Sequence, residues 1–150
     1  MINISKKTLQ DLEFESVIQQ VATHNVTNLG KNEILATLPF SKREDVIEAL
    51  QLTNEFVSSF DNENRIPNHG FDAITSELKL MRIENNYLEI DGFRKIASIC
   101  VTTNILLKFF KKFHEYYPLL HKVSLQLDSN KEIPEAIHSV VDKFGEIRND

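Results

Sequence analysis

Three observations predict an all-α fold, an irregular bundle of about six or seven helices that includes one long central helix. Apolar residues recur at alternating spacings of three and four over most of the chain, the period of a helix that buries one face. No run alternates apolar and polar residues well enough to read as a strand. The chain of 150 residues has only 4 Gly and 4 Pro, too few for a loop-rich sandwich or a disordered linker.

The elements follow in order. Phe14, Val17, Ile18 and Val21 form one stripe, which predicts a helix with that face buried. Gly30 is expected to end or bend that segment after Leu29, with Ile34, Leu35 and Leu38 resuming a short helix that Pro39 stops. Ser41 and Glu44 read as a capping box, the serine accepting from the Glu44 amide while the glutamate reaches back. The helix they open carries Val46, Leu50, Thr53, Val57 and Phe60 as a coiled-coil-like seam, and Asp61-Asn62-Glu63-Asn64 ends it. A loop containing Pro67 and Gly70 leads to Asp72, the expected N-cap of a short helix bearing Ile74, Leu78 and Met81. Glu84-Asn85-Asn86 is a turn.

The longest helix is predicted from about Asp91 to about Tyr116. Phe93, Ile96, Cys100, Thr103, Leu107, Phe110 and His114 make a heptad seam, while Ile99, Leu106, Phe109 and Phe113 add a second apolar face. A helix apolar on two sides is covered on two sides, so it reads as the central strut. Pro118 breaks it, and Leu119, Leu120, Val123 and Leu127 predict a short helix beyond. Asp128-Ser129-Asn130 is a turn with capping residues. Pro134 belongs in the first turn of a last helix whose buried face is Ile133, Ala136, Ile137, Val140, Val141 and Phe144, with Gly145 at its C-cap.

Length and composition fit one globular domain with a real core: 41% of residues are hydrophobic and 26% charged, and the aromatic area is mostly Phe, 10 residues with no Trp. A net charge of -5 argues against this chain being a main grip on nucleic acid, which favours basic surfaces, while leaving room for a local basic face. Cys100 has no intrachain partner and lies in an apolar run, so it reads as an inert, buried thiol. No stretch approaches the roughly 18 to 20 apolar residues of a membrane span. Met1 to Lys7 lacks the pattern of a secretion signal, and a cytoplasmic location is expected.

Candidate chemistry is sparse. Gly30-Lys31 lacks the remainder of a phosphate loop: Asn25 stands where its first glycine is required and Asn32 where its hydroxyl residue is required. None of the five histidines, His24, His69, His114, His121 and His138, falls in a zinc pattern. His69 reads as a loop-capping imidazole, and His24 and His138 as solvent-facing. Asp11, Glu13 and Glu15 precede or open a helix, where its dipole favours negative charge, and no paired carboxylates suggest acid–base work. No catalytic, cofactor or metal residue is assigned. Lys108, Lys111 and Lys112 form the one basic cluster and are candidates for weak phosphate contact, with Arg94 and Lys95 nearer the start of the same helix. Solvation of a long helix is the competing reading.

The order of the short motifs resembles the opening of the second bacterial branch of the MutS family, mismatch-repair paralogues with a C-terminal Smr nuclease domain. The features are Leu12-Glu13-Phe14, a short helix ending at Leu29-Gly30-Lys31, Leu38-Pro39, and a helix of about five turns. The loop Pro67-Asn68-His69-Gly70-Phe71-Asp72-Ala73-Ile74 and the closing Phe144-Gly145-Glu146-Ile147 complete the series. Phe113-His114-Glu115 spells the F-x-E of classical MutS mismatch readers but lacks the flanking glycine and falls in a helix, so Phe113 reads as core. The Smr-bearing branch lacks that reading domain.

The resemblance implies that residues 1–150 are a single helical domain, the first half of a core or lever region and a fragment of a larger protein. It implies a homodimeric ATPase, using ATP and magnesium held elsewhere in the full-length chain, that binds structured DNA in repair and recombination control. The remainder of the chain (core, clamp and ATPase) would be this segment's partner, and ribosomes a further one; no membrane is implied. None of the family's ATP, magnesium or nuclease residues maps onto this sequence. The alternative is a free-standing helical interaction module whose seams on the Val46 and Phe93 helices bind partner helices. A small all-α enzyme is a weaker alternative that would need a polar cluster in a pocket.

Overall fold

A computed structural model describes residues 4–142 and 145–148. The described residues form eight helices: α1 Lys6–Asp11, α2 Phe14–Ala22, α3 Asn28–Leu35, α4 Arg43–Ser58, α5 Thr75–Leu80, α6 Ile90–Lys112, α7 Pro118–Ser124 and α8 Glu132–Val140. The protein is all-α. Its only bridge of β type among those residues is an isolated antiparallel pair, Val141 with Ile147. The chain divides into two compact units, Met1–Asn54 and Glu55–Asp150.

In the first unit α2 packs on α1 and on α3. Ser5 caps α1 by accepting from the Thr8 amide at 3.1 Å. A left-handed Glu13, φ 50°, breaks the chain between α1 and α2 inside the Leu12-Glu13-Phe14 motif. The expected stripe on α2 is only partly covered: Phe14 and Ile18 are half-buried and Ala22 is buried, whereas Val17 and Val21 are exposed.

Gly30 does not end a helix. Thr27, in extended conformation, accepts from the Gly30 amide at 3.0 Å, so α3 begins at Asn28 with Gly30 in its first turn. The helix ends at Leu35, before Leu38 and Pro39. The α4 helix starts at Arg43, one residue later than capping by Ser41 requires, with the Lys42 carbonyl accepting from Val46 N. Its predicted seam faces outward: Val46, Leu50, Val57 and Phe60 are all exposed. The covered residues are Ala49, Leu52, Phe56 and Ser59, the same three-and-four rhythm shifted by one position.

The second unit is organised by α6, which packs on α7 and on α8. Ile96 and Ala97 are buried on it, and Cys100, Thr103, Leu107 and Phe110 on one face and Ile99, Leu106 and Phe109 on the other are half-buried. That is the two-sided burial expected of a strut, except that Phe93 and His114 at the seam's ends are exposed. The helix stops at Lys112, ahead of Pro118, which occupies the first turn of α7. Tyr117 lies between the two and is fully buried. Its ring packs 5.6 Å from Phe109 and 6.3 Å from Phe110, centroid to centroid, and Phe113 lies tilted on Phe109 at 4.8 Å, so the F-x-E phenylalanine is half-buried at the edge of this aromatic cluster.

Asp72 does not cap α5. It is exposed, the helix begins at Thr75, and Ile74 holds the N-cap position without a side-chain cap. On α8, Pro134 and Val141 are buried and Ile137 half-buried, but Ile133, Ala136 and Val140 are exposed. The helix ends at Val140, so Gly145 is no C-cap. Gly145 adopts φ +86° two residues before the bridged Ile147, a conformation in which a side chain would be strained. Phe144 lies outside the described residues.

Candidate functional site

The lysine cluster sits on the last two turns of α6, and Lys108, Lys111 and Lys112 are all exposed. The three do not act together. Lys112 Nζ lies 4.8 Å from the centroid of the Phe113 ring, a cation–π contact. Lys108 and Lys111, three residues apart on one face, line an open cleft of about 840 Å³. His114, His121, Asp128 and Lys131 share its walls, so α6, α7 and the start of α8 all contribute. The His114 and His121 rings are 5.7 Å apart and tilted. His114 Nδ1 donates to the Lys111 carbonyl at 3.2 Å, which directs Nε2 away from the backbone. Among the described residues no carboxylate forms an ion pair with Lys108, Lys111 or Lys131.

Two polar clasps hold the walls of this cleft. Glu55 accepts from Leu119 N and Leu120 N at 3.0–3.1 Å, filling the amides at the start of α7. Asn104 on α6 donates its amide to the Asn130 carbonyl at 2.6 Å and accepts from Asn130 N at 2.9 Å. The Asn130 side chain then accepts from Ile133 N at 2.9 Å, so the predicted turn residue caps α8.

The other basic residues of α6 are engaged. Lys95 bridges Asp91 at 2.8 Å and Glu77 at 3.4 Å. Both carboxyls are held below their ordinary range, Asp91 chiefly by its bond to Lys95 and Glu77 chiefly by the Ser76 hydroxyl, and Asp91 holds the lysine above its own. The Arg94 side chain runs alongside Gly145.

Among the described residues the other candidate groups stand apart. Cys100 is half-buried and burial pushes its thiol up, the reverse of an activated nucleophile. His69 Nδ1 contacts the Pro67 carbonyl at 3.3 Å, and its ring meets Phe56 edge-on at 5.5 Å, a loop-closing role. His24 and His138 are exposed. Among the described residues no group of three or more His, Cys, Asp or Glu is placed to hold a metal ion. Gly30-Lys31 does not fit a nucleotide phosphate, because the Gly30 amide is taken by Thr27 and a helical turn replaces the loop. No helix of the described residues is long and apolar enough to cross a membrane.

What the geometry defines is a helical segment built on one long strut, with a basic cleft and no acid–base or metal centre among its described residues. Comparison with known proteins agrees with the MutS resemblance along almost the whole chain. The protein named endonuclease MutS2 from Pelotomaculum thermopropionicum is 26% identical over 144 residues, covering 96% of this chain and 18% of the relative. The endonuclease MutS2 of a Geobacillus species is 27% identical over 144 residues, 94% of this chain and 18% of its own length. The putative endonuclease MutS2 of Bacillus subtilis is 24% identical over 147 residues, 96% and 19% respectively. The chain thus spans less than a fifth of these curated relatives. No family model matches it, and no solved structure matches it.

Among the cleft residues that sequence reasoning did not group with the lysines are His121 and Lys131. Six residues, Pro118 among them, separate His121 from His114, and Lys131 follows directly on Asn130, which is fastened to Asn104. No spacing rule along one helix would have found either.

Proposed function

We propose that this chain is the N-terminal helical part of a longer MutS-like protein that acts on DNA in repair or the control of recombination. Its helices pass movement between an ATPase and a DNA-holding clamp carried by the rest of that protein. The observation that carries this reading is the match of 94–96% of the chain to about 18% of proteins named endonuclease MutS2. The architecture suits it: α6 has 23 residues, about 34 Å of helix, and is braced by α7 and α8. A rigid element of that length passes displacement from one end to the other with little loss. ATP and magnesium belong to the remainder of the chain in this reading, as do dimer formation and any ribosome contact.

The first test is the native reading frame beyond the codon for Asp150. An open frame leading to a G-x-x-x-x-G-K-S/T loop and an Smr-like region supports the proposal, and a stop codon ends it. In the longer protein, Ile105→Pro in mid-α6 should leave basal ATP hydrolysis in place while abolishing its response to DNA, because proline breaks the strut. An unchanged response would refute transmission through α6. The exposed Val46, Leu50 and Val57 on α4 favour the second reading, a helical interaction module, which a stop codon would bring to the front.

A further inference from the structure

We propose that the cleft between the C-terminal half of α6 and α7 is a contact site for the phosphate backbone of nucleic acid, made by Lys108, Lys111 and Lys131. The inference rests on the proposed function for its choice of ligand and adds the residues and the place.

Three observations carry it. First, charge converges where the chain as a whole is acidic. A protein of net charge -5 gathers three lysines from two separate elements around one cleft, with Asp128 as the acidic residue among its walls. Second, these lysines are uncommitted. Lys95 on the same helix is held by two carboxylates and Lys112 by an aromatic face, whereas none of the three is in an ion pair among the described residues. Third, the position of Lys131 is built. The reciprocal Asn104–Asn130 bonds fix the residue before it, and Asn130 caps the helix that follows.

The shape decides between a single anion and a polymer. An open trough of about 840 Å³ does not enclose and desolvate one phosphate. Lys108 and Lys111 stand roughly 5–6 Å apart at Cβ, a spacing that neighbouring phosphates of one strand can match. Lysine acts here as a point charge without fork geometry, so the contact positions a backbone and reads no sequence.

The test is a fluorescence-anisotropy titration of the 150-residue chain with a labelled single strand and a labelled duplex of about 20 nucleotides or base pairs, repeated across salt concentrations. Three phosphate contacts predict binding at about 50 mM salt that weakens with a log–log slope of roughly -2 to -3 and is largely lost near physiological salt. The triple variant K108E/K111E/K131E should bind at least about tenfold more weakly with a flatter slope, whereas K112E should stay within about twofold of wild type. All four positions are exposed, and circular dichroism checks each variant; if the triple variant is unfolded, single lysine-to-glutamine changes replace it. Inorganic phosphate should compete no better than an equal ionic strength of chloride salt. The proposal is overturned if wild type fails to bind at low salt, if the triple variant binds like wild type, if K112E is as damaging, or if inorganic phosphate displaces the strand. None of these results bears on the reading frame or on ATPase coupling, so the two readings fail separately.

Discussion

Glu55 and Leu119 are 64 positions apart, and the carboxylate of one fills the amide of the other. Both Glu55 oxygens accept from Leu119 N, at 3.0 and 3.1 Å, and Oε2 also accepts from Leu120 N at 3.0 Å. A helix of seven residues has no other side-chain cap here, since Tyr117 at its N-cap supplies none. A carboxylate at a helix start also meets the positive end of the dipole. Glu55→Ala should therefore lower stability by about 2 kcal/mol, the usual worth of hydrogen bonds to a charged group. Glu55→Gln, which keeps one good acceptor, should cost less. Urea denaturation followed by circular dichroism measures both; equal midpoints for wild type and Glu55→Ala would sink the idea.

Tyr117 joins the same corner to the loop after α4. Its hydroxyl donates to the Asn64 carbonyl at 2.5 Å, and its ring is fully enclosed by the α6 aromatics. Burial pushes its phenol above the ordinary range, so it stays a donor well past neutral pH. Tyr117→Phe should cost about 1 kcal/mol for the lost bond, and Tyr117→Ala about 3–5 kcal/mol for the cavity. The two measured together separate bond from packing. A Tyr117→Phe loss as large as that of Tyr117→Ala would refute the packing role.

The parts legible in the sequence share one property: several local signals agree there. The long helix announced itself through two sustained apolar faces, and Pro118 and Pro134 lie in the first turns of the next two helices. Where one signal stood alone it misled. A glycine after leucine can close one helix or sit in the opening turn of the next, and the Thr27 hydroxyl decides for Gly30. The α4 helix carries apolar residues on more than one face, so periodicity identifies a helix without saying which stripe is covered; Leu52 and Phe56 are, and Leu50 and Val57 are not. The cleft was half legible. Lys108 and Lys111 share a helix face by spacing alone, but Lys131 depends on a tertiary bond from Asn104.

That bond can be tested directly. Asn104 and Asn130 exchange two hydrogen bonds at 2.6 and 2.9 Å in an exposed setting. Asn104→Ala should cost only about 1 kcal/mol, because water can satisfy the freed groups. Its larger effect should be local. Hydrogen exchange at the Asn130 amide should speed up by about fivefold, the factor that matches a loss of that size. Unaltered exchange there would mean that the α7–α8 connection is held by something other than this pair.

The acid response of the second unit should pass through Lys95. Asp91 and Glu77, which pair with it, are held below their ordinary values of 3.8 and 4.5. The folded state therefore binds fewer protons in acid than the unfolded state does. The stability they contribute is present above about pH 4.5 and is lost as pH falls through the lowered values. Lys95, held above its ordinary 10.5, contributes below that pH and ceases to do so only as pH rises through its raised value. Lys95→Met removes the main cause of the Asp91 shift and leaves Glu77 its bond from Ser76, at 2.7 Å. The melting temperature of Lys95→Met should consequently fall less than that of wild type between roughly pH 5 and pH 3, and adding Ser76→Ala should flatten the dependence further. Parallel melting curves for all three proteins across that range would show that these carboxylates carry no linked stability.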